Sequence, residues 1–167
     1  MRRASITAIG FLLVASCLVL RWPAEVTAQE STATDRTGYS PCERMFGWLD
    51  KDTVHFGQAS SWIRRSSYPF LQRLGEFVED CPGFALGITG YTDAVGDAAV
   101  NQELSEQRAR AVADFLVRLG VDRQRLVVTG LGAAHPVADN DTIAGRKKNR
   151  RIEFQLLPLP AATDTNY

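Results

Sequence analysis

Between residues 67 and 156 the apolar residues repeatedly change period, and that change restricts the fold more than any other feature of the chain. Positions 70, 71, 74, 77, 78 and 81 repeat at helical spacing, with Ser66 or Ser67 as candidate N-cap, Pro69 in the first turn and Pro82 as the stop. Phe84 to Tyr91 is then a short apolar run that reads as a strand, followed by a turn-rich connection from Thr92 to Gln102. A second helix is expected from Leu104-Ser105 to Gly120, burying Ala109, Val112, Ala113, Leu116 and Leu119 and turning Glu106, Arg110, Asp114 and Arg118 to water. Leu126 to Thr129 reads as a strand, Gly130 to Thr142 as a loop, 144–149 as a short basic helix, and Arg151 to Leu156 as a half-buried strand. With Thr53-Val54-His55-Phe56 as a further short strand, the order is β-α-β-α-β-(α)-β. Strands alternating with helices imply a two-layer α/β (α+β) sandwich, helices packed on a small mixed sheet.

That pattern occupies only part of the 167 residues. Arg2 and Arg3 precede an apolar stretch from Ile6 to Leu20, the layout of a secretory signal and shorter than the roughly 18–20 residues that span a bilayer comfortably. Val26-Thr27-Ala28 offers a cleavage site before Gln29. Val14-Ala15-Ser16-Cys17 offers instead a lipoprotein-like box with Cys17 as the lipidated residue, and an uncleaved anchor is the third reading. The expected divisions are a signal segment at 1–28, a linker and short N-terminal extension at 29–52, the folded domain at 53–158 and a flexible tail at 159–167. Within the extension, Cys42 to Leu49 reads as a short helix presenting Met45, Phe46 and Leu49.

Export has a consequence for the cysteines. Cys17 falls in the signal segment, leaving Cys42 and Cys81 as an even pair that an oxidising periplasm would join; two unrelated buried thiols are the alternative. No metal or other cofactor is expected, because neither His55 nor His135 has ligand spacing to a cysteine. The chain is formally neutral, and removal of residues 1–28 leaves 16 basic and 18 acidic side chains. That balance excludes a phosphate-neutralising surface, so nucleic acid is not an expected partner. The basic run Arg146 to Arg151 reads as a helix end, partner surface or pocket wall.

Several short motifs fall in one order: Gly87-Ile88-Thr89-Gly90-Tyr91-Thr92-Asp93, Gly96, Asn101, Leu104-Ser105, Arg108-Ala109, Gly130-Leu131-Gly132, Pro136, Asn140, Gly145-Arg146 and Asn149-Arg150-Arg151-Ile152-Glu153. From about Thr53 to Leu156 this ordered set resembles the OmpA-like peptidoglycan-binding domain, also found in peptidoglycan-associated lipoproteins and flagellar stator proteins. No single piece is diagnostic. The resemblance implies noncovalent binding of the diaminopimelate in a peptidoglycan stem peptide: Asp93 accepts from the ammonium and Arg108 clamps the carboxylate. Asn101 and Arg150 match family positions by the same ligand and Thr92, adjacent to Asp93, offers its backbone, whereas Tyr91 stands where relatives often have histidine.

The chemistry of the residues agrees with that implication. A carbon bearing both an ammonium and a carboxylate is matched by one fixed anion and one fixed planar cation, and arginine's fork binds a carboxylate through two nitrogens. Asp93 lies just past a strand end, where loops place binding residues, and Arg108 is placed in the first turns of the next helix. The plainer alternatives are an Asp93 that only organises its turn and an Arg108 that is a surface helix charge. Three functions compete: a wall-binding module of the periplasm, associated with the outer membrane; an assembly component, stator- or secretion-like, acting through envelope proteins; and a peptidoglycan enzyme. The last lacks a nucleophile–base arrangement in sequence.

Overall fold

Strand β1, Phe84–Gly90, is the centre of a three-stranded sheet in the order β2-β1-β3. It runs parallel to β2, Leu126–Gly130, and antiparallel to β3, Ile152–Pro158. Its near-continuous burial explains why its sequence lacks polar alternation, as expected of a strand flanked on both sides and covered by helices. The computed structural model describes residues 40–49 and 53–160; the signal segment, Cys17, most of the linker and the end of the tail lie outside them.

Four helices accompany the sheet in the described residues: α1, Pro41–Leu49; α2, Tyr68–Asp80; α3, Ala98–Arg118; and α4, Ile143–Asn149. The apolar positions of α2 all enter the core, where Leu71, Leu74, Val78 and Cys81 meet Leu86 and Ile88 of β1 and Val112, Ala113 and Leu116 of α3. Phe70 meets Phe154 of β3 edge-on at 5.7 Å. Cys42 of α1 and Cys81 at the end of α2 form a disulfide with a Cα–Cα distance of 6.0 Å, and Phe46 packs on Phe77 at 5.8 Å. The short helix expected at 42–49 is therefore fastened to the domain.

Three sequence expectations need correction. The run 53–56 does not join the sheet: Phe56 makes only an isolated antiparallel bridge to Ile63, and the sheet has three strands. The His55 N–H that a ladder would need donates instead to Ser67 Oγ, at 2.8 Å. The same bond explains why Ser67, which does stand at the N-cap of α2, gives it no side-chain capping bond; a 3-10 turn at Arg65–Ser67 leads into the helix. Helix α3 begins at Ala98, two turns before the expected start, with Asp97 Oδ1 accepting from the N–H groups of Ala99 and Val100 at 2.8 and 3.1 Å. Its first turns carry no apolar stripe because they border the rim of the sheet rather than the core: Val100 is exposed and Asn101 takes the inward place. At the other end Leu119 is 43% exposed, since α3 stops at Arg118 and Gly120 turns the chain at φ +110°.

Two glycines bring α3 onto the strand ends. A Cβ at Gly90 would overlap the Ser105 carbonyl, and one at Gly130 would overlap the Glu106 backbone. Ser105 Oγ then donates to Gln102 O at 2.7 Å and accepts from Gly132 N at 2.9 Å, fixing the loop after β2 to the helix.

Candidate functional site

Past the end of β1 the chain is held between two other segments. Tyr91 N–H donates to Arg151 O at 3.0 Å, Thr92 N–H to Gly132 O at 2.7 Å, and Leu131 N–H to Gly90 O at 3.0 Å. Asp93 is the first residue to leave this clamp. One carboxylate oxygen accepts from Val95 N–H at 3.0 Å, a turn-forming bond, and the other accepts from Arg150 Nη1 at 2.5 Å. The turn reading of Asp93 is thus correct as far as it goes, but it occupies only one of the two oxygens.

Arg108 lies across from this pair in the third turn of α3, further along the helix than the sequence placed it, and the residue is only 5% exposed. It is no surface charge. Its Nε donates to Ser60 O at 3.0 Å, and its guanidinium carbon stands 5.2 Å from the centre of the Phe56 ring. No carboxylate among the described residues lies within ion-pair distance of it. Burial pushes its pKa below the ordinary arginine value and repulsion by Arg150 adds to that, while Asp93 pulls the other way. Asp93, Arg108 and Arg150 therefore form one electrostatic group, although the ion pair within it is Asp93–Arg150.

The remaining candidates have different duties. Asn101 uses its amide nitrogen on the backbone, donating to Asp93 O at 3.3 Å and Val95 O at 3.0 Å, so it shapes the loop that presents the carboxylate. Thr92 is buried, and its hydroxyl oxygen has no hydrogen-bond partner among the described residues. The Tyr91 ring is covered by Arg151, whose guanidinium carbon is 3.7 Å from the ring centre. Cys42 and Cys81 close the α1–α2 junction.

Sequence reasoning missed the supports. Phe56 and Ser60 hold Arg108 from a segment forty-eight residues away, which no local pattern discloses. Asn149, fully buried, accepts from the N–H groups of Val137 and Ala138 at 2.9 and 3.0 Å and donates to Ala138 O and Asn140 Oδ1, both at 2.8 Å. Asn140 Oδ1 in turn accepts from Ala94 N–H at 3.1 Å. This chain of amides sets Arg150, which follows Asn149, beside Asp93. Asn140 and Asn149 belong to the ordered motif set of the sequence, but nothing local there discloses that their amides bond to each other. Among the described residues no group of three His, Cys, Asp or Glu is placed to hold a metal ion.

Known proteins resemble this chain in sequence and in fold. The chain is 36% identical over 133 residues to peptidoglycan-binding protein ArfA of Mycobacterium tuberculosis, covering 78% of this chain and 40% of that protein. It is 37% identical over 108 residues to the probable lipoprotein YiaD of Escherichia coli, covering 65% and 49%. The chain thus spans less than half the length of these curated relatives. Among solved structures, the peptidoglycan-associated lipoprotein of Burkholderia pseudomallei is similar with a TM-score of 0.60 at 28% identity, covering 63% of this chain and 89% of that one. The C-terminal domain of Helicobacter pylori MotB gives a TM-score of 0.59 at 26% identity, covering 66% and 86%. The model of the OmpA family matches residues 55–150, the segment that contains β1, α3 and the Asp93–Arg108–Arg150 group, and the chain belongs to that family.

Proposed function

We propose that the domain binds peptidoglycan without chemistry, and that Asp93 and Arg108 hold the diaminopimelate of the stem peptide. The observation that carries this reading is Arg108. A buried guanidinium with one carbonyl acceptor and an aromatic face, but no anion, retains donors for an incoming carboxylate. Such a carboxylate would offset the burial that now depresses its pKa. Asp93 has lone pairs left beyond its two present bonds, enough to accept from the ligand's ammonium without displacing Arg150. Each charge-assisted contact contributes about 1.5–3 kcal/mol, so one stem peptide is held modestly and a tether strengthens the grip through local concentration.

Placement in the envelope is part of the same reading. It is supported by the charged-then-apolar N-terminus, by the Cys42–Cys81 disulfide, and by relatives named as a lipoprotein, an outer membrane porin and the periplasmic domain of MotB. A mass spectrum of the protein recovered from cells separates the three fates of the N-terminus: cleavage after Ala28, lipidation of Cys17, or retention.

The binding test is pulldown on isolated walls with either diaminopimelate or lysine at the third stem position. Lysine keeps the ammonium and lacks the carboxylate. The protein is expected to stay on the first and wash from the second, and Asp93→Ala with Arg108→Ala to wash from both. Equal retention on the two walls, or retention unchanged in the double variant, overturns the pocket assignment.

A further inference from the structure

The segment that holds Arg108 also presents an exposed aromatic ring. From Phe56 to Ile63 the chain doubles back: Gly57 N–H donates to Trp62 O at 2.9 Å, Trp62 N–H to Ser60 Oγ at 2.9 Å, and Ala59 turns the backbone at φ +44°. One side of this turn gives the Ser60 carbonyl to Arg108. The other leaves the Trp62 side chain 62% exposed, a costly position for the largest apolar ring on a backbone so firmly held.

Beside Trp62 lies an open hollow of about 240 Å³ lined by Tyr68, Ala111, Asp114, Phe115 and Arg118. Tyr68 and Phe115 meet at 4.8 Å, and Arg118 lies over the Phe115 ring at 5.4 Å. Aromatic faces bordered by a carboxylate, a guanidinium and a hydroxyl suit a ligand with apolar C–H faces and polar edges. A sugar ring has that chemistry. A wholly apolar partner would desolvate Arg118 and the Asp114 carboxylate, which Arg123 reaches at 3.3 Å.

The position of the hollow puts it within reach of one sugar. Ala111 is one turn beyond Arg108 on α3 and Phe115 two turns, so the hollow begins next to the arginine and extends about 10 Å along the helix. In a stem peptide a lactyl link, two residues and the side chain of diaminopimelate itself separate the held carboxylate from the glycan, roughly 20 Å of extended chain and so enough to bend across the shorter distance to the hollow. We propose that the Trp62–Phe115 hollow is a saccharide subsite for the glycan strand that bears the stem peptide held at Asp93 and Arg108. It rests on the diaminopimelate reading for its register.

Calorimetry on the purified full chain tests it with three ligands: a tripeptide ending in diaminopimelate, the same tripeptide carrying its disaccharide, and peptide-free glycan chains. The disaccharide is expected to tighten binding roughly three- to tenfold over the tripeptide alone. Trp62→Ala is expected to erase that increment while leaving tripeptide affinity and the melting temperature unchanged. A disaccharide that adds nothing, or an increment that survives Trp62→Ala, overturns the subsite and leaves the diaminopimelate site standing. Failure of the tripeptide to bind overturns the diaminopimelate site instead. The subsite is then upheld if Trp62→Ala abolishes binding of peptide-free glycan, and overturned if that glycan does not bind or binds the variant equally.

Discussion

Two of the arginines drawn into this domain, Arg125 and Arg108, are satisfied in opposite ways. Arg125 reaches the end of α2 and the start of β1, donating to the carbonyls of Val78 and Cys81 at 2.5 Å each and of Phe84 at 2.8 and 3.0 Å, with Glu79 at 3.7 Å. The carbonyls of Val78 and Cys81 each accept a backbone N–H as well, from Cys81 and Phe84, and the guanidinium takes up their second acceptor position at the helix end. Arg108 is at least as buried and has one carbonyl and a phenyl ring. On the proposed function, the difference separates a structural arginine from a binding one: Arg125 has spent its donors on the fold, and Arg108 has kept them. Burial alone does not distinguish the two.

The largest expected effect is at the satisfied end. The disulfide closes a loop of 39 residues onto the helix terminus that Arg125 seals. Replacing both cysteines by serine should lower unfolding free energy by about 4 kcal/mol in denaturant titrations, and a reducing agent should do the same to the native chain. Next is Arg125→Met, which keeps the aliphatic stem and leaves the carbonyls of Val78, Cys81 and Phe84 without that donor. A loss of about 3 kcal/mol is expected in the same titration, with wall binding of the remaining folded protein unchanged. If Arg125→Met instead weakened binding and spared stability, the contrast between the two arginines would be reversed.

Arg108→Met should do the converse. Stability is expected to change by less than about 1 kcal/mol, because a buried cation without an anion contributes little to the fold. Retention on diaminopimelate walls should fall by roughly ten- to a hundredfold, the loss of one charge-assisted clamp. The depressed pKa fixes the pH behaviour. For a base whose folded-state pKa lies below its unfolded value, the relative gain in stability comes only as pH rises through the window beneath the ordinary arginine value. At roughly pH 5–9 Arg108 is charged in both states, so the stability difference between Arg108→Met and the native chain should be flat across that range. A difference that varies with pH there would mean that another titrating group is coupled to the site.

How much of this contrast could be read in the sequence depends on distance along the chain. The stripe of α2, the uninterrupted β1 and the alternation of β3 arise from local periodicity and were legible, as was the pairing of Cys42 with Cys81 once export was inferred. The first two turns of α3 were not, because their role is to border the rim and they carry no apolar stripe. The strand expected at 53–56 failed because His55 N–H goes to Ser67, a side-chain competitor that no β-propensity includes. Asp93, Asn101, Arg108 and Arg150 were picked out as an ordered set. Their pairing was not: Arg150 reaches Asp93 where the buried Asn149 and the half-buried Asn140 hold the intervening loop against Ala94.

That last pairing yields the smallest effect and the finest test. The Arg150 side chain is 42% exposed, so its ion pair with Asp93 is worth at most about 1 kcal/mol to the fold, and Arg150→Ala should leave the melting curve nearly unchanged. Its effect on binding has two opposed parts. Removing Arg150 frees a carboxylate oxygen of Asp93 for the ligand's ammonium, which favours binding. It also removes the cation that gives the group of Asp93, Arg108 and Arg150 its net positive charge, which disfavours binding of a stem peptide rich in carboxylates. The second part acts over a longer range and is screened by salt, whereas the first is a contact and is not. Binding of Arg150→Ala should therefore be weaker by about two- to fivefold at low ionic strength, with the deficit closing and passing into a slight gain as salt is raised. Tighter binding at every salt concentration would instead make Arg150 a competitor for Asp93, and the site an Asp93–Arg108 pair that must first be opened.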